Sequence, residues 1–204
     1  MSSQKTEPGK RPYRKRRRAE LEEETRRRIT EAAMELHGSV GPARTTFSAV
    51  AERAGVQRAT LYRHFPDEES LFGACSAHWA TLNPRPGLSG WAAIDDPDER
   101  LRVALGEIYA WYAHPAVHEM LERTTRDVSL VPAMAAPVEN GRQYFAAAHE
   151  MLMRGRPERG ARRKRAGAAI AHALVFPTWR SLVREQGLSE ADAVGLMTAL
   201  VAVA

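Results

Sequence analysis

Between Thr45 and Phe65 the chain reads TTFSAVAERAGVQRATLYRHF, and the polar members of this run have the types and spacing to read a nucleic acid. With Val56, Leu61 and Phe65 turned inward as the apolar stripe of a helix, Arg58, Ala59, Thr60, Tyr62 and Arg63 face outward and His64 sits at the edge. Arginine pairs bidentately with guanine, a threonine or alanine methyl meets the thymine methyl, and tyrosine or histidine donates to phosphate oxygens. A helical hairpin with a merely solvated polar face would carry the same residues. The elements that hold the run decide between the two.

Those elements read as a helix, a tight turn and a second helix. Thr46 is placed as an N-cap, Phe47, Val50, Ala51 and Ala54 recur at helical intervals behind it, and Gly55 supplies the permissive backbone of a sharp turn. Small Ala51 lets the two helices approach closely, which is how a helix-turn-helix presents its second helix to the major groove of DNA. Ser48 and Gln57 are further DNA-binding candidates in this stretch. Arg44, just before the cap, either reaches a phosphate or stays solvated.

The residues TT-x4-A-x3-GV from Thr45 to Val56, the TLYRHF run from Thr60 to Phe65, and the following Pro66-Asp67 resemble the tetracycline-repressor (TetR-like) family of bacterial regulators. The resemblance covers roughly residues 20–80 in sequence. It departs from the family at two positions: Glu68 stands where a phosphate-contacting lysine is usual, and Ser48 where many members carry an arginine. It implies an all-α protein of about nine helices, with a helix-turn-helix domain over 19–66 and an effector-binding and dimerisation domain over 67–204. It further implies a homodimer on a palindromic double-stranded operator, paired through helices at about 161–186 and 189–203. The implied function is a ligand-responsive transcriptional regulator in the cytoplasm, acting as a repressor. The rival reading is an architectural DNA-binding dimer that senses nothing.

Composition agrees with helix: Ala, Leu, Arg and Glu fill long stretches of 3.6-residue period, and strand-like alternation is scarce. Charge is concentrated at one end. Residues 1–18 hold eight cations against Glu7, a net +7, so the chain's overall +5 leaves −2 for everything after. With Pro8, Gly9 and Pro12 and almost nothing to bury, this stretch is expected to be a disordered arm, in which Arg14, Arg16 and Arg17 lie along phosphates or the minor groove, or else a solvated tail. Cys75 is the sole cysteine, which excludes an intrachain disulfide and fits a reducing compartment; it is either a redox sensor or a small core residue. No apolar run approaches the ~20 residues of a membrane span.

A first helix is expected over 21–37 and a fourth over 67–82, followed by a loop at 83–96 in which Trp91 either lids a pocket or anchors the loop. Helices at about 97–113, from Pro115 onward and at 132–154 follow, and they place an effector pocket. Trp79, Trp111, Met120, Met134, Tyr144 and Met151 offer adaptable apolar surface to a largely apolar ligand, and His114, His118 and Thr124 offer polar contacts; core packing is the rival role for each. His114 and His118 are four apart, but no third metal ligand is evident and Pro115 interrupts the helix between them. No cofactor is expected. Catalysis has no support either: the histidines are scattered, and there is neither a phosphate-cradling glycine loop nor a nucleophile with a base and an orienting acid. The basic run from Arg154 to Arg165 is expected to stay exposed, and Pro177 to kink the helix near residues 173–176.

Overall fold

Helix is the regular structure of residues 10–204, the part of the chain that the computed structural model describes; no strand occurs among them. The helices are α1 Lys10–Ser39, α2 Phe47–Arg53, α3 Arg58–His64, α4 Glu68–Leu82, α5 Leu88–Ala92, α6 Pro97–Ala113, α7 Pro115–Asp127, α8 Ala135–Met153, α9 Gly160–Ala173, α10 Phe176–Trp179 and α11 Glu190–Val203. They fall into two compact units, one ending at Trp79 and the other Ala80–Ala204. The division lies within α4, later than the 66/67 boundary drawn from sequence.

In the first unit, Ile29, Ala32 and Ala33 of α1, Val50 and Ala51 of α2, Leu61 of α3, Phe65, and Leu71 and Cys75 of α4 form one buried cluster. The alanines matter because short side chains let α1, α2 and α3 cross at close range. Cys75 is a core residue: it is buried, its thiol donates to the Thr30 carbonyl at 3.5 Å, and burial pushes its pKa up to about 12. A thiol so far from ionisation is a poor redox sensor. At the start of α4, Asp67 caps the helix by accepting from the Ser70 N–H at 2.7 Å.

One expectation for this unit is corrected. Residues 1–9 of the basic arm lie outside the described residues, but Lys10–Arg18 belong to α1, which starts eleven residues before the expected 21. Pro12 falls in the first turn, where its missing N–H is not needed. Beyond it, arginine and lysine are good helix formers, and Arg16 and Arg18 pair with Glu20 and Glu22 one turn on, at 2.9 and 3.1 Å. The same pattern leaves Leu21 61 % exposed rather than on the core face.

The second unit is built around α6, which buries Arg100, Leu101, Ala104, Leu105, Ile108, Tyr109 and Tyr112 and packs against α5, α7, α8, α10 and α11. Asp96 caps it, one carboxylate oxygen accepting from the Asp98 and Glu99 N–H groups at 2.8 Å each, with Pro97 in the first turn. The expected loop at 83–96 contains a short helix, α5. Trp91 within it is an anchor and no lid: it is fully buried, and its indole N–H donates to Glu107 at 2.8 Å.

The kink expected at Pro177 is a full break. α9 ends at Ala173, Val175 turns extended, and α10 starts with Pro177 in its first turn, followed by a π-helical stretch, Arg180–Glu185. Proline has no N–H to offer the Ala173 carbonyl four residues back. The Tyr109 hydroxyl serves that carbonyl instead at 3.0 Å, and the Tyr112 hydroxyl serves Leu174 at 2.6 Å. Both phenols are held far above their usual pKa by burial, so they remain donors.

Candidate nucleic-acid interface and effector region

The turn that aims α3 is formed by one left-handed residue and two backbone hydrogen bonds. Gly55 takes φ +64°, its N–H donates to Glu52 at 3.1 Å, and the Val56 N–H donates to Ala51 at 3.0 Å. A side chain at φ +64° is strained, so the turn needs glycine there. On the near side, the Thr46 hydroxyl oxygen accepts from the Ala49 N–H at 3.2 Å, which caps α2 and leaves its proton for another acceptor.

α3 then buries Leu61 and, just past its end, Phe65, while Arg58, Ala59, Tyr62 and Arg63 are exposed and Thr60 is half-buried. Gln57 is the exposed N-cap residue, and Ser48 and Thr46 lie exposed at the start of α2, with Arg44 exposed on the turn before it. The Tyr62 ring rests near Phe47, 5.1 Å between centres, and its hydroxyl accepts from the Arg58 guanidinium at 3.3 Å. Arg58 is thus held over its own helix, pre-set rather than free. His64 is half-buried; its Nε2 is closed off without a partner, and burial together with Arg63 and Arg26 lowers its pKa. A neutral, partly shielded imidazole is a weak phosphate contact.

Sequence reasoning missed Arg26. Its guanidinium donates to the His64 carbonyl at 2.8 Å and lies 4.2 Å over the Phe65 ring. A cation at the C-terminal end of α3 satisfies a free carbonyl and complements the helix dipole, so α1 fixes the register of the reading helix. Nothing local signalled this, since the partner is 38 residues away. Arg14, Arg16 and Arg17 are exposed on the first turns of α1, with Arg16 and Arg17 beside Tyr13 and Glu20.

The residues read as an effector pocket divide differently. Trp79 falls in the first unit and the other eight in the second. There, Trp111 and Tyr144 are half-buried, the first donating to the Asn83 carbonyl at 3.3 Å and the second to Pro86 at 2.8 Å. The Thr124 hydroxyl donates to the Met120 sulfur at 3.1 Å, Met134 is buried, and Met151 is half-buried. His114 is exposed at the junction of α6 and α7, away from any three-ligand group; among the described residues no cluster of His, Cys, Asp or Glu could hold a metal.

His118 points into an aromatic cluster that the sequence did not single out. Its ring lies 5.7 Å from Phe176 and 5.5 Å from Trp179, and Tyr112 at the centre touches Trp111, Phe145, Phe176 and Trp179. Two buried polar atoms in it, His118 Nδ1 and Trp179 Nε1, have no hydrogen-bond partner. A buried, unsatisfied N–H costs about 1–3 kcal/mol, which an acceptor on a bound molecule would recover. The basic run is also not uniform: Arg156 is buried, 3 % exposed, and donates to Asp98 at 3.0 Å and to the Pro97 and Leu152 carbonyls.

Residues 29–75 match the model of the bacterial regulatory proteins of the tetR family. No curated protein matches the chain in sequence. Among solved structures, a protein of Mesorhizobium loti MAFF303099 described as a TetR-family transcriptional regulator superposes with a TM-score of 0.63 at 17 % identity, over 89 % of this chain and 95 % of its own. NalD of Pseudomonas aeruginosa, the secondary repressor of the MexAB-OprM multidrug efflux pump, gives 0.62 at 18 %, over 90 % and 96 %. AibR, solved with isovaleryl coenzyme A and operator DNA, gives 0.60 at 18 %, over 86 % and 97 %. No helix among the described residues is long and apolar enough to cross a membrane. The capped α2, the Gly55 turn and the exposed face of α3 therefore lie in the segment that matches the tetR-family model, and the chain shares its fold with solved TetR-family regulators.

Proposed function

We propose that this protein is a homodimeric repressor that binds a palindromic operator through α3 and leaves it when a small, largely apolar molecule enters the second unit. The observation that carries the reading is the exposed face of α3, where Arg58, Ala59, Tyr62 and Arg63 stand together behind a turn that requires glycine. Two such helices about one DNA turn apart, roughly 34–36 Å, would read successive major grooves. An effector that binds better to a conformer with another spacing would shift the population away from the DNA-competent one.

Two features support the remaining parts. For the dimer, α11 buries Ala193, Val194, Met197 and Val201 and leaves Leu196, Leu200 and Val203 exposed along the flank beside them. Beside it on α9, Ala168 and Ala171 are exposed, and Val175 follows. Small residues on one helix and leucines on its neighbour suit four-helix packing with a second copy. For the effector, the unsatisfied Trp179 indole N–H, with the unpartnered His118 Nδ1 beside it, favours a ligand with a hydrogen-bonding group on an apolar body.

The test is selection of bound DNA from a random pool. Arg58→Ala or Arg63→Ala is expected to relax preference at a defined base pair by roughly 1–3 kcal/mol, whereas Tyr62→Phe should weaken all sequences alike. Unchanged preference in both arginine variants would mean that another surface reads the bases.

The basic start of α1 is expected to add phosphate contacts in place of the lysine that Glu68 replaces. Deleting residues 1–18 should reduce the slope of log affinity against log salt by roughly 0.9 for each lost contact. Equal slopes for the full and shortened chains would leave that segment no part in binding.

A further inference from the structure

The loop between α4 and α5 carries an arginine that no acceptor or carboxylate among the described residues answers. Arg85 is half-buried, and its guanidinium carbon lies 5.4 Å from the centre of the Tyr144 ring and 5.8 Å from that of Trp111. Its Nε is closed off from solvent and has no hydrogen-bond partner. No carboxylate among the described residues pairs with it. Glu107, the acid that shares the surroundings of Tyr144, gives an oxygen to the Trp91 indole at 2.8 Å.

The position of Arg85 is built. Trp111 donates to the Asn83 carbonyl and Tyr144 to the Pro86 carbonyl, so the loop is tacked down on either side of the arginine by the two side chains whose rings it approaches. Pro84 and Pro86 restrict the backbone between these points. Across from the guanidinium, Gly141 of α8 brings backbone close: a Cβ there would lie 3.5 Å from Arg85 Nη2. Neither ring offers a lone pair to the Arg85 N–H groups, and the planar N–H edge of a guanidinium is the one that matches a carboxylate bidentately. A lysine would offer a point charge and no such fork.

We infer that Arg85 is the anion receptor of the effector region, and that the effector is a small carboxylate with an apolar body. The inference rests on the reading that the second unit binds an effector at all. Its carboxylate meets the Arg85 fork, and its apolar body takes the aromatic surface of Trp111 and Tyr144.

Octanoate and 4-phenylbutanoate are compared with their primary amides, on the wild type and on Arg85→Gln. Binding is followed by tryptophan fluorescence and by the rise in Tm, and displacement of the neutral dye Nile red reports apolar occupancy. The carboxylates are expected to bind the wild type roughly 10- to 100-fold more tightly than the amides, and Arg85→Gln to erase that preference while Nile red still binds. If Nile red binds but the carboxylates hold no advantage, or keep it in Arg85→Gln, the receptor assignment fails and the effector reading stands. If neither dye, acid nor amide binds, both fall together.

Discussion

Replacing Leu196 and Leu200 together by glutamate is expected to give a folded monomer whose operator affinity has dropped by roughly 10²- to 10⁴-fold. Both side chains are about half exposed, 50 % and 44 %, on the flank of α11 beside its buried stripe, so the exchange removes little from the core of the unit. In a two-fold interface each substitution occurs twice and meets its symmetry mate nearby. Four carboxylates would then have to lose their hydration where aliphatic side chains now stand, which a solvent-facing monomer avoids. Losing the partner forfeits the second half-site, and with it the gain of holding two sites at once. Sedimentation and far-UV circular dichroism report the monomer and its fold, and fluorescence anisotropy on a full and a half operator reports the affinity. A dimer that survives both glutamates would move the interface to another face.

Arg100→Met is expected to lower the stability of the second unit by roughly 3–5 kcal/mol, since up to four carbonyls lose their donor at about 1–3 kcal/mol for each left buried and unmet. The residue is 5 % exposed and donates four hydrogen bonds, all to carbonyls: Ile94 at 2.8 Å, Asp95 at 3.0 Å, Arg154 at 2.7 Å and Met151 at 3.3 Å. Two of these acceptors are at the C-terminal end of α8, where the helix dipole favours a cation, and two precede α6. Methionine fills much of the volume and satisfies none of them. Arg100→Lys keeps the charge with fewer and less directed donors and should fall between. Denaturant unfolding checks the order; a loss below about 1 kcal/mol for Arg100→Met would mean that water replaces the guanidinium at little cost.

The parts of the fold that were legible in the sequence are those fixed within a few residues. The Thr46 cap, the Gly55 turn, the Asp67 cap and the Pro177 break each depend on backbone relations no more than five residues apart, and each stands where local chemistry puts it. The start of α1 was misjudged because net charge and prolines argued for disorder, whereas Arg16–Glu20 and Arg18–Glu22 pairs carry helix through it. Nothing nearby in the sequence singled out Arg26 or Arg100, and Arg156 stands in a run expected to stay exposed. Their partners lie 38, 54 and 58 residues away, and no window on the sequence joins them. The candidate ligand residues suffered most, since a cluster centred on Tyr112 draws Phe176 and Trp179 from beyond the break that hid them.

The uninterrupted course of α1 has a mechanical consequence. Arg16 near its start and Arg26 at the end of α3 are ten residues apart on one rod, roughly 15 Å along the axis. On the proposed operator-binding reading, a cation of α1 that settles on the DNA backbone would deliver α3 already oriented, with little further loss of rotational freedom. Tether and probe are one rigid body, and a hinge between them, however well it preserved every side chain, would turn a single two-point grip into two weak and separate encounters.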